Sequence, residues 1–136
     1  MFLDAIGRFR QNATMEKVIY GVLERLLSSG NRGLVMTERQ IIAMEREVVD
    51  GKTDRELNTE IFELRNRLST LKNYYEQLID IGETLQENEN DLFEEEDLRY
   101  FKIFTDKSER LSNNTQLLCD NLIHSERLLT RRSIII

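Results

Sequence analysis

The 136-residue sequence has no proline and no tryptophan, one cysteine and one histidine. At the usual frequency of about 5%, about seven prolines would be expected. Proline removes a backbone donor and clashes with the preceding turn, so its absence leaves helix interiors uninterrupted. An aromatic content of 7% without tryptophan excludes a thick aromatic core and favours narrow apolar seams between elongated elements. The lone Cys119 cannot form an internal disulfide, which fits a reducing compartment. Cys119 and His124 are five residues apart, about 140° around a helix, so they share no face for zinc and form no nucleophile–base pair. Cys119 reads as a small packing residue and His124 as a surface one. No run of about 18 apolar residues is present to span a bilayer. The start, MFLDAIGRFR, places Asp4 in its short apolar stretch and has no basic segment before it, unlike a signal peptide. A net charge of −6 disfavours a phosphate-binding surface.

What is present is helical periodicity. A first helix is expected over residues 14–50, with Thr14 as N-cap. Met15, Ile19, Val22 and Leu26, with Val18, Leu23 and Leu27, form a broad apolar face. Ser28-Ser29-Gly30-Asn31-Arg32-Gly33 reads locally as a break. Beyond it, Leu34, Thr37, Ile41, Met44 and Val48 step by 3, 4, 3 and 4. Asp50-Gly51-Lys52 reads as a turn and Thr53-Asp54-Arg55-Glu56 as a capping box opening a second helix over 53–86. Leu57, Ile61, Leu64, Leu68, Leu71, Tyr75 and Leu78 keep unbroken heptad phase, a strong coiled-coil signal. With only a short turn between them, the two segments predict an antiparallel hairpin whose seams face each other. Tyr75 falls in the seam and Tyr74 beside it, so both read as packing residues.

Seven carboxylates crowd into the eleven residues Glu87 to Asp97. Residues 87–92 read as an acidic link and 92–132 as a third helix. Glu94, Glu95, Glu96 and Asp97 would lie in its first turn, where each favours the helix dipole by about 0.3–1 kcal/mol. Carboxylate oxygen also suits hard cations, which makes Glu94, Glu95 and Asp97 candidates for weak, hydrated Mg2+ association. The stretch lacks the Asp-x-Asp-x-Asp-Gly pattern that wraps one ion. Along the third helix Phe101, Phe104, Leu111, Leu118, Leu122 and Leu129 are interrupted in heptad phase by Ser108, Thr115 and Ser125, which suits packing against several partners. Gly51-Lys52-Thr53 is not a phosphate loop, because the earlier glycine it needs is Arg46.

The stretches Asp50-Gly51-Lys52, EIFELRNRLSTLKNYYEQLIDIGETLQENEN and LRYFKIFTDKSERLSNNTQLL resemble the cytoplasmic helices of the CorA family of divalent-cation transporters. The resemblance is specific from about Gly51 to Leu118, looser over 14–50 and weak after Asn121. It implies an all-α fold: a long antiparallel coiled-coil hairpin, with the first helix continuous or slightly bent near 28–33, plus a long stalk helix. It also implies a homopentamer conducting Mg2+, and in some members Co2+ or Ni2+, with regulatory cations bound between cytoplasmic domains. Asp106, in Phe104-Thr105-Asp106, matches the family's metal-binding stalk aspartate; by itself, with Lys107 and Arg110 near, it reads as a surface ion-pair member. Arg131 and Arg132 would correspond to the family's basic ring near the membrane, ahead of Ser133-Ile134-Ile135-Ile136. The family's N-terminal α/β domain, its membrane spans and its Gly-Met-Asn signature are not among these residues. The expected role is therefore cytoplasmic gating and assembly, without catalysis. The rival expectation is a free-standing coiled-coil interaction module that needs no metal.

Overall fold

The computed structural model describes the backbone of residues 2–51 and 54–135, and side chains over 15–48, 50–51 and 55–128. Three helices follow in order, α1 (Phe2–Val49), α2 (Asp54–Glu87) and α3 (Glu95–Ile135), and there is no strand among the described residues. At 1.5 Å per residue they are about 72, 51 and 62 Å long, so the all-α molecule is elongated. The α1–α2 and α2–α3 pairs are antiparallel. Arg67 reaches Gln40 near one end of the first pair and Tyr74 reaches Leu26 near the other. Arg65–Glu126 and Lys72–Gln116 order the second pair in the same way.

The α2 heptad is the common wall of the core. Leu57, Ile61, Leu64, Leu68, Tyr75 and Leu78 are all buried. Each fully buried aliphatic member contributes about 1.5–3 kcal/mol relative to exposure. The phase also runs further than the leucines suggest, because Gly82 is buried at the next seam position and Leu85 is half-buried after it. The α2 seam is shared as well: α3 packs on α2 more extensively than α1 does. Ser108 and Thr115 are seam members rather than interruptions, each buried with its hydroxyl on the carbonyl four residues back. That bond satisfies the hydroxyl locally, and the small side chain lets α3 approach α2 closely. One cluster, around Ile41, Met44, Leu57, Leu64 and Leu122, fills the end near the α1–α2 turn. A second, around Leu23, Leu34, Tyr75, Phe101 and Phe104, fills the other end.

The helix α1 passes through Thr14, since nothing in residues 2–13 breaks it, so Thr14 is not its N-cap. It is continuous through Ser28–Gly33, the course the family resemblance implies rather than the break read locally. Gly30 is buried there because Tyr75 lies against it: an added Cβ would sit 2.7 Å from Tyr75 Cε1 and 3.1 Å from Tyr74 Cε1. Tyr75 donates its hydroxyl to the Gly30 carbonyl at 2.7 Å and Tyr74 donates to Leu26 at 2.8 Å. Burial pushes the Tyr75 hydroxyl pKa up to about 12, with Thr115 lowering it and Tyr74 adding to the rise. The inward lane of α1 is the seam of Leu34–Val48 continued backwards through Gly30, Leu27, Leu23 and Tyr20. Met15, Val18 and Val22, expected on the packed face, are therefore exposed. The capping box at Thr53 lies outside the described residues.

Gly30 and Gly21 thus predict opposite responses to alanine. An open helical site gains up to about 1 kcal/mol from Gly→Ala, and a Cβ at Gly21 meets nothing within 4 Å. At Gly30 the same gain is outweighed by overpacking of about 1–3 kcal/mol against a fully buried, hydrogen-bonded ring. Urea unfolding should show Gly21→Ala raising stability and Gly30→Ala lowering it by up to about 2 kcal/mol.

Candidate functional site

The acidic region is organised by the link between α2 and α3. Asn88 and Asp91 both have positive φ, 50° and 53°, a conformation that Asn and Asp tolerate better than most residues. Asn88 ends α2 and pairs with Phe93 in both directions, its Nδ2 donating to the carbonyl at 3.0 Å and its Oδ1 accepting from the N–H at 3.1 Å. This clamp explains why α3 begins at Glu95 rather than at residue 92. Glu94 is the N-cap: its carbonyl accepts from Leu98, and its N–H donates to Asp97 Oδ2 at 3.1 Å. Asp97 thus supplies the returning half of a capping box.

The expected acidic candidates separate sharply. Asp97 is 4% exposed, and its second oxygen accepts the Tyr20 hydroxyl of α1. Both of its oxygens are used to join the start of α3 to α1. Glu94 and Glu95 are exposed, and among the described residues Glu95 makes only a long 3.9 Å contact with Arg99. Glu16 comes close to Asp97 from α1. Its pKa is raised by partial burial first, then by the charges of Asp97, Glu94 and Glu96. The Tyr20 hydroxyl pKa is raised as well, by burial first and then by its bond to Asp97 and that residue's charge. Tyr20 stacks at a tilt on Tyr100, with ring centroids 4.1 Å apart, and meets Phe101 edge-on. Sequence reasoning missed Tyr20 and Glu16, yet both fall on the α1 seam counted back from Leu34 in steps of 4, 3, 4, 3 and 4. Asp97 likewise falls four residues before Phe101 on the α3 seam.

Asp106 stands apart from this cluster. It is exposed on the outermost lane of α3, with Lys102 and Arg110 one turn away on either side, and no ion pair forms on it among the described residues. No group of three or more His, Cys, Asp or Glu side chains is placed to hold a metal ion among the described residues. Cys119 is half-buried against the Leu57–Leu122 cluster, and His124 is exposed. Arg131 and Arg132 fall outside the residues whose side chains are described.

Residues 2–124 match the family described as CorA-like Mg2+ transporter protein. The chain belongs to this family. Neither a curated protein nor a solved structure matches it. Among the described residues, no helix of this CorA-family chain is long and apolar enough to cross a membrane.

The Tyr20–Asp97 bond predicts that Tyr20→Phe costs about 1.5–3 kcal/mol in urea unfolding, the range for a hydrogen bond to a charged group. Glu16 predicts a pH dependence. Because its folded pKa is raised, its contribution is fully present below the ordinary value of 4.5 and is lost as the pH rises through the raised value. Glu16→Gln should therefore raise the melting temperature at pH 7, and the difference should close below pH 4.5.

Proposed function

We propose that this chain is the cytoplasmic gating and assembly portion of a CorA-like divalent-cation transport protein. The observation that carries the reading is the exposed, unpaired Asp106 on the outer lane of α3, in a chain matching the family over residues 2–124. In this reading, stalks of neighbouring copies bring Asp106 and a partner carboxylate near one hydrated Mg2+, or in some relatives Co2+ or Ni2+. Mg2+ keeps much of its water, so the contact is outer-sphere and weak. The cation offsets repulsion between carboxylates, and its loss lets the stalks separate. Glu94 and Glu95, exposed at the stalk's start, add negative potential that concentrates cations. Arg131 and Arg132 form the basic ring where the stalk meets the membrane. The assembly is a homopentamer at the cytoplasmic face, and the chain performs no catalysis.

A second reading, a free-standing coiled-coil interaction module without metal dependence, rests on the heptad seam of α2 alone. Solution mass on adding Mg2+ separates the two: a saturable Mg2+-dependent change that Asp106→Asn abolishes supports gating, and a mass that Mg2+ leaves unchanged supports the module. The direct test of sensing is a Mg2+ titration followed by backbone amide shifts in the wild-type chain and Asp106→Asn. The gating reading predicts saturable shifts centred on Asp106 that the variant loses. A flat wild-type response removes the sensing role.

A further inference from the structure

The inward lane of α1 is occupied by α2 and α3, but its outward lane carries a second pattern. Arg25, Arg32, Arg39 and Arg46 recur every seven residues and are all exposed. They form one ridge about 32 Å long. The positions three and four residues from Arg25, Arg32 and Arg39 hold only glycine, serine, alanine, valine, methionine and isoleucine. Val22, Val35, Met36 and Ile42 are exposed there by 50%, 38%, 56% and 46%. The lane contains no carboxylate from Val18 to Arg46, although the protein's net charge is −6. Helical arginines are ordinarily supported by acidic neighbours at such spacings, and these three are not.

The complementary surface lies on the same chain. Glu76, Asp80, Glu83 and Glu87 step by 4, 3 and 4 along the exposed lane of α2, and no lysine or arginine occurs between Lys72 and Arg99. Ile81, 39% exposed, adjoins them. The heights of the two lanes also agree. The Tyr74–Leu26, Tyr75–Gly30 and Arg67–Gln40 bonds set the α1–α2 register and place Asp80 level with Arg25 and Glu76 within about a turn of Arg32. Within one chain the lanes face away from the shared seam. Between two copies standing side by side in the same direction, arginine meets carboxylate without any vertical shift.

We propose that the arginine lane of α1 is a docking surface for a second copy of this chain, received on the carboxylate lane of α2. The contact is heterologous, so each copy uses one lane on either side, and the assembly closes as a ring where the rotation between copies returns to the first. The exposed Val and Met side chains supply apolar area, and the charge rows set partner choice and register. The contact requires no Mg2+ and does not depend on the role proposed for Asp106.

The test measures the mass of the full chain by sedimentation equilibrium in Mg2+-free buffer. Association is expected at about 0.05 M salt and should weaken at least about tenfold at about 0.5 M, where exposed charges are screened. Arg25→Glu/Arg32→Glu leaves both lanes acidic, and Glu76→Lys/Asp80→Lys leaves both basic. Each variant alone should be monomeric at wild-type helicity, while a one-to-one mixture should associate, because the acidic lanes of one variant then face the basic lanes of the other. A monomeric wild-type chain at low salt, a variant that associates alone, or a mixture that stays monomeric would overturn the proposal. So would a wild-type chain that remains monomeric yet binds anionic vesicles through these arginines.

Discussion

The structure depends on the close approach of Tyr74 and Tyr75 to the glycine-notched face of α1. The Tyr75 ring occupies the space that a side chain at residue 30 would fill, and its hydroxyl lies on the Gly30 carbonyl. Tyr74 repeats the bond one turn away, at Leu26. Two phenols on successive residues of α2 thereby fix how high and how close α1 stands. Gly82 plays the same part on the α3 side, where an added Cβ would fall on the Thr105 hydroxyl. The central helix is thus gripped on both sides by contacts that tolerate no added methyl group, and the heptad leucines fill the space between. Everything exposed on α1 and α3, including the arginine lane and Asp106, takes its position from this arrangement.

The acidic stretch has a mixed role that follows from geometry. Its innermost member, Asp97, satisfies the first turn of α3 and holds Tyr20, so its charge is used inside the fold. The outer members remain in water and set the potential at this end of the molecule. Crowding of charge does not by itself make a cation site. The carboxylates face different directions around a helix start, and no three ligands converge among the described residues.

Much of this was legible in the residues. Absent proline and a seven-member heptad in α2 indicate long packed helices, and every member of that heptad is buried or half-buried. What was not legible comes from small and polar residues at seam positions. A Gly-Ser-Asn-rich stretch reads as a break when judged locally, but Gly30 is the partner of a tyrosine forty-five residues away. The apolar stripe Met15–Val22 invited a wrong phase for the start of α1, because the true seam there carries Tyr20 and Glu16, which hydropathy does not mark. Ser108 and Thr115 looked like interruptions because their hydroxyls satisfy themselves on the helix backbone, a bond invisible in the sequence pattern. For the candidate site, Asp106 rests on family resemblance, because its own neighbours Lys102, Lys107 and Arg110 mark it as no more than a surface carboxylate.

The claim that α1 is one unbroken helix, locked inward by the tyrosine pair, supports both the outward arginine lane and the placement of α3. Residue-level hydrogen exchange tests it most directly. The account predicts that amides from Ser28 to Leu34 exchange as slowly as those of Ile61 to Tyr75 in α2. Fast exchange confined to Ser28–Gly33, with slow exchange on both sides, would mean that α1 breaks there, and the shared register of the two lanes would fall with it.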